Sequence, residues 1–246
     1  MNEDWDFYLN EIDGHPASTF FNLAIHSTAP NVDLPNLGYL RIFMNTPNPD
    51  GLSSDEEFDM LSKLEDTIAA AATKDELSTY VGRNTTRGYR DYFFYTGDTE
   101  KFTQTVIAAA ANFAEYKVES GSKSDPDWDM YLKSLYPPAP IYRVIMNRRV
   151  CEQLKKHGDK QKQPRDIDHS AVFDDKVSAK EFAKYLKTQG FTVNGISRVW
   201  FLSKDRNVEF MREDAPDEID SVTTPLLEIL AELGGEYDGW GCRVVT

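Results

Sequence analysis

The chain is poor in the residues that most often do chemistry. Its 246 residues include two cysteines, Cys151 and Cys242, and four histidines. Neither cysteine belongs to a C-x-x-C pair, and a structural zinc site would need four clustered ligands. The two could close one disulfide, but in a reducing cytoplasm a pair of buried thiols is the expectation. No stretch approaches the ~20 apolar residues that span a bilayer. The opening Met1-Asn2-Glu3-Asp4-Trp5-Asp6 sets acids where a secretory signal would set bases. A cytoplasmic protein with no membrane role is expected. Cations are scarce as well: 27 Lys and Arg against 41 Asp and Glu leave a net charge of −14. The deficit lies in the first half, where residues 1–139 hold 23 acids and 10 bases, against 18 and 17 in residues 140–246. Such a field keeps a domain soluble, repels phosphate and attracts basic protein surfaces, so direct nucleic-acid binding is disfavoured.

Apolar residues make up 40% of the chain and aromatics 12%, enough for a packed core, and the length suits two domains. Trp5, Phe7 and Leu9, then Asp13-Gly14, then Phe21, Leu23 and Ile25 read as a β-hairpin. A strand over 37–45 follows. Ser54 with Glu57 forms a capping box ahead of a helix over 55–72. Strands near 76–84 and 89–96, a helix over 100–113 and a strand around Tyr116 and Val118 complete a β-α-β-β-α-β order. Gly121 to Asp127 reads as a connector, followed by a short amphipathic turn with Trp128, Tyr131 and Leu135. Tyr136-Pro137-Pro138-Ala139-Pro140 is a stiff spacer, which puts the domains at 1–136 and 141–246.

The second half predicts a helix over 141–157 and a strand with Ile167, His169, Ala171 and Phe173 in alternation. A capping box at Ser178 and Glu181 opens a helix that stops at Gly190. Next come a strand over 191–197 and two short strands within 199–213. A helix with Leu226, Leu227, Leu230 and Leu233 starts near Ser221 or kinks at Pro225, and a strand closes over 236–245. This half also reads β-α-β-β-α-β after its first helix. The fold class expected is α+β: two tandem ferredoxin-like (split βαβ) sandwiches, the first with an extra N-terminal β-hairpin.

No G-x-S-x-G elbow, G-x-x-x-x-G-K-[ST] loop or G-x-G-x-x-G turn occurs. His15 and His26 have no spaced Cys or carboxylate partners. His157, Asp159, Asp168 and His169 lie close in sequence, but His169 shares parity with the apolar positions of its strand and reads as a buried structural residue. Asp125, Asp127 and Asp129 alternate like the start of a calcium loop that lacks its Gly and late Glu. No metal, cofactor or catalytic residue is expected. The most distinctive segment is Glu236-Tyr237-Asp238-Gly239-Trp240. Strict alternation puts Trp240 on one face as a core residue and Tyr237 on the other, where Glu236, Tyr237 and Asp238 are partner-binding candidates; Gly239 marks a bulge or a close backbone approach.

With His157-Gly158-Asp159, Pro164-Arg165-Asp166-Ile167-Asp168-His169 and Gly190-Phe191-Thr192-Val193, that segment resembles the family of the regulator of ribonuclease E activity B. Arg165 joins the partner-binding candidates through this resemblance. Trp5, Phe7, Tyr8 and Asp13-Gly14-Pro16-Ala17 resemble an uncharacterised bacterial domain found fused ahead of it. The resemblance implies a non-enzymatic, protein-binding regulator that inhibits ribonuclease E-type RNA turnover. Some members end in a long acidic tail, whereas this sequence stops at Thr246. The alternative expectation is an enzyme or small-ligand binder that uses a cleft between the two domains. The oligomeric state stays open.

Overall fold

The computed structural model describes residues 3–200 and 203–246. The chain is mixed α and β and divides into two compact units, Met1–Pro137 and Pro138–Thr246.

In the first unit β1 (Trp5–Ile12) and β2 (His15–Asn22) form a hairpin. Its turn, Asp13-Gly14, has φ of 51° and 75°, the left-handed pair that matches the twist of a two-residue hairpin. Leu23 and Ile25 depart from the expected strand: Asn22 caps Ala24 N and the chain turns into a short 3₁₀ segment, Leu23–Ser27. β3 (Asn36–Phe43), α1 (Asp55–Thr73), β4 (Ser78–Thr86), β5 (Tyr89–Thr96), α2 (Thr99–Ala110) and β6 (Lys117–Ser124) follow. All strand pairs are antiparallel, in the order β1-β2-β4-β5-β3-β6. Leu61, Leu64 and Ile68 of α1 and Phe102 and Val106 of α2 pack against Leu40, Ile42, Tyr92 and Phe94. Each such side chain contributes about 1.5–3 kcal/mol through burial.

Two further expectations in this unit fail for identifiable reasons. Ser54 makes no capping hydrogen bond. Glu57 instead accepts from Asn45 N at 2.7 Å and Thr46 N at 2.9 Å, tying α1 to the loop after β3. The expected connector is the outer half of β6, paired with β3 as far as Ser124. The chain then folds back in a π-helical turn, Met130–Leu135. Trp128 stacks on Tyr95 at 4.0 Å, its indole N–H donates to Leu34 O, and Tyr131 donates to Asn22 O. Asp125 accepts from Tyr95 Oη at 2.6 Å and from the N–H groups of Asp129 and Met130, so the carboxylate that resembled a calcium ligand is used within the fold.

The second unit runs α3 (Ala139–Lys156), β7 (Arg165–Phe173), α4 (Lys176–Thr188), β8 (Thr192–Arg198), β9 (Arg206–Asp214), a 3₁₀ turn Pro216–Glu218, α5 (Ile219–Leu233) and β10 (Gly235–Gly241). Its antiparallel sheet has the order β10-β7-β9-β8. One strand, β9, occupies the stretch where two short ones were expected; Phe201 and Leu202, within the first of those, lie outside the described residues. Asp175, not Ser178, caps α4, accepting from Val177 N and Ser178 N. α5 begins at Ile219 and carries Pro225 inside it, ending at Gly234 in the left-handed region. Phe182, Leu186, Val222, Leu226 and Leu230 cover Ile167, Ala171, Phe173, Val208 and Phe210.

Candidate functional site

β10 is an edge strand with an irregularity. Its register against β7 shifts between Tyr237, opposite Ala171, and Gly239, opposite Ser170. The extra residue, Asp238, shifts the alternation by one, so Tyr237 and Trp240 point to the same helix-covered face. This corrects the strict alternation: Tyr237 is 7% exposed and part of the core, and Trp240 packs against the same cluster. At that exposure the Tyr237 ring offers a partner little surface. Of the two readings of Gly239, the bulge is present and the close approach is not. A Cβ on Gly239 would meet nothing within 4 Å, whereas one on Gly235 would collide with Phe173.

The buried side of β10 is held by polar groups. Tyr237 Oη and His169 Nδ1 lie 2.5 Å apart, and the His169 ring stacks on Phe210 at 5.1 Å. His169 is 2% exposed, and Nε2 has no hydrogen-bond partner among the described residues. Burial lowers its pKa to about 4; Arg212 adds to the fall and Asp214 opposes it. The ring is therefore neutral at pH 7. Burial likewise pushes the Tyr237 phenol well above its ordinary range, with Arg143 opposing.

α3 supplies residues that sequence reading treated only as a leading helix. Arg143 lies over the Tyr237 ring at 4.4 Å and donates Nη2 to Tyr237 O at 2.7 Å. Asn147, 1% exposed, accepts from Trp240 Nε1 at 2.9 Å and donates to Asp220 Oδ1 and Thr223 Oγ1 at 2.7 and 2.8 Å. The legible signal was polar residues at 143, 147 and 151, the four-residue spacing of one helix face.

Arg165 is likewise no surface residue. It is 4% exposed, and its Nη2 meets Asp159 Oδ2 at 2.8 Å. Its Nε donates to Cys242 Sγ at 3.3 Å. Asp159 also accepts from Gln161 N and Val245 N. Burial alone would raise the pKa of that carboxyl, but these donors hold it below its ordinary value. Arg165 thus fastens the chain after β10 to the start of β7. Cys151 and Cys242 are free and half-buried; Cys151 donates to Pro216 O at 3.4 Å. No group of three or more His, Cys, Asp or Glu that could hold a metal occurs among the described residues.

Glu236 and Asp238 remain at the surface. They share the face turned away from the helices with Asp166, Asp168, Glu209 and Glu213, all exposed and placed by the pairings of β7 with β9 and β10. A shallow hollow of about 490 Å³ there is lined by Asp168, Ser170, Asn194, Glu209 and Asp238 among others. A second groove of about 490 Å³ lies between α3 and β10, lined by Tyr142, Arg143, Met146, Glu236, Asp238 and Trp240 among others. No helix of the described residues is long and apolar enough to cross a membrane.

The sequence matches two family models. One, described as a family of unknown function, DUF695, covers residues 3–136. The chain belongs to the DUF695 family. The other, described as regulator of ribonuclease activity B, covers residues 144–242, from α3 to just past β10. The DUF695 match thus ends just short of the unit boundary, and the regulator match carries Arg143's neighbours, His169 and the whole β10 segment. Among curated proteins no relative matches the chain. Solved structures similar to it include a putative glycine cleavage system transcriptional repressor, at 8% identity, covering 85% of this chain and 98% of that one with a TM-score of 0.27. An unknown protein from Galdieria sulphuraria matches at 9% identity, covering 86% and 99%, with a TM-score of 0.24. At those scores neither carries an argument about fold or function.

Proposed function

We propose that the chain is a non-enzymatic, protein-binding regulator acting in the cytoplasm, where it inhibits ribonuclease E-type RNA turnover. The match of residues 144–242 to a family described as a regulator of ribonuclease activity carries this reading. The partner surface in this reading is the open face of the second sheet, with Glu236 and Asp238 at its β10 edge. Six exposed carboxylates there favour a basic protein surface and disfavour RNA itself. We further read each unit as a ferredoxin-like plan, cut between 136 and 141. The strand orders β10-β7-β9-β8 and β4-β5-β3-β6, each with its first strand beside its third, support that plan.

The test is a pull-down and an RNA-cleavage assay with purified ribonuclease E. Association and slower cleavage at micromolar protein are expected, weakened by Glu236→Lys with Asp238→Lys and by added salt. No association together with unchanged cleavage refutes the reading.

A further inference from the structure

Arg143 sits in the first half of α3 with 8% of its surface exposed. It gives Nη2 to Tyr237 O, yet its Nε has no acceptor and no carboxylate lies within ion-pair distance among the described residues. Burial depresses the pKa of its guanidinium; Tyr237, Tyr142 and Asp238 offset this only in part. Asp238, the carboxylate beside it in the groove, is directed to Ser170 Oγ at 3.1 Å instead. A buried cation without its counter-charge is costly, and here it lines an open groove rather than a closed core.

The rest of that groove suits a small ligand. Its volume of about 490 Å³ falls within the range of small-molecule sites. Tyr142, Met146, Val150 and Val172 give it apolar walls, Trp240 closes one side, and Arg149 is the second cation in its lining. Asn147 fixes the indole through the Nε1–H bond, so that wall is preorganised.

We propose that the groove between α3 and β10 binds a carboxylate carried on an apolar or aromatic body. The Arg143 guanidinium is the counter-ion, and Trp240, Met146 and Val150 hold the body. A carboxylate suits the planar fork of the guanidinium, and because Glu236 and Asp238 balance Arg143 and Arg149 in the same groove, no net positive field is left to favour a phosphate dianion. The carboxylate comes from a free aromatic acid or from the C-terminus of a peptide with an apolar last residue. The inference shares Glu236 and Asp238 with the partner surface above but does not rest on the ribonuclease reading.

The test compares acids with their amides on the full chain. The probes are phenylacetate, indole-3-acetate and a short peptide ending in Leu-Phe, each beside its carboxamide. Binding is followed by calorimetry and by the ¹⁵N-indole signal of Trp240, assigned with Trp240→Phe. At least one acid is expected to bind and move that signal, with its amide about tenfold weaker or worse because a charge-assisted bond is lost. Arg143→Gln, checked for folding by a thermal melt, should weaken the acid by at least about tenfold while changing the amide little. Binding by the free acids alone identifies a small-molecule site, and binding by the peptide alone a chain-terminus site. Acid and amide binding alike overturns the proposal. So does a Trp240 signal unmoved by every acid at about 10 mM, since that puts any Kd well above that concentration. Cleavage by ribonuclease E is measured in parallel: a groove that binds nothing beside a protein that still slows cleavage sinks this inference alone, and the converse sinks only the regulator reading.

Discussion

Lowering the pH should loosen the second unit through one residue, His169. Its ring is stacked on Phe210, edged by Phe191 and joined to Tyr237, and its pKa falls from an ordinary 6.5 to about 4. In the unfolded chain the ring regains its ordinary affinity for protons. Between the two values the unfolded state holds more protons than the folded one, so stability is complete above about pH 6.5, drains away as the pH falls, and levels off below about 4. A gap of that size is worth about 3 kcal/mol. Hydrogen exchange of the β7 peptide, corrected for intrinsic rates, measures the opening free energy of this unit directly. His169→Gln removes the titration while keeping a group that can bond Tyr237. The wild-type protein should lose about 3 kcal/mol of protection between pH 7 and pH 4 relative to the variant. Parallel curves for the two proteins, or an NMR titration of His169 near its ordinary value, would refute the reasoning.

Three further outcomes follow from the geometry. Tyr237→Ala should cost about 3–5 kcal/mol of stability, because it empties a core position and strands His169, whereas charge reversal at Glu236 and Asp238 should leave the melting temperature nearly unchanged. Asp159→Asn should cost about 3 kcal/mol by leaving Arg165 buried without its counter-charge, and should raise exchange in residues 242–245; an unchanged melt would show that the ion pair is dispensable. Gly235→Ala should destabilise by about 1–3 kcal/mol through the collision with Phe173, while Gly239→Ala, facing open space, should be close to neutral; a reversed order in urea titrations would contradict the placement of the bulge.

The order of elements was legible because it rests on periodicity. Alternation marked β1 and β7, and the three- and four-residue spacing of Leu61, Leu64 and Ile68 marked α1. What escaped was set by single atoms. Asp238 adds one residue to β10 and reverses the parity of everything before it, which moved Tyr237 from surface to core. Glu57 found backbone N–H groups across a loop instead of its own helix end. Arg165 entered as a partner-binding candidate through the family resemblance, and nothing in the sequence shows Asp159 folding back on it. Arg143 and Asn147 were marked only by sharing one helix face, and their roles stayed hidden because their partners, Tyr237 O and Trp240 Nε1, are more than ninety positions away.

The fold-back after β6 decides how the chain can be dissected. Residues 125–136 look like dispensable tether, yet Tyr8 donates to Leu135 O and the Trp128 ring roofs Tyr95. A fragment truncated at Ser120 would strip that roof, expose Tyr95 to water and deprive the Tyr8 hydroxyl of its acceptor. Scissors belong between Tyr136 and Ala139, and an N-terminal piece that fails to fold when cut earlier says nothing about whether that half can stand alone.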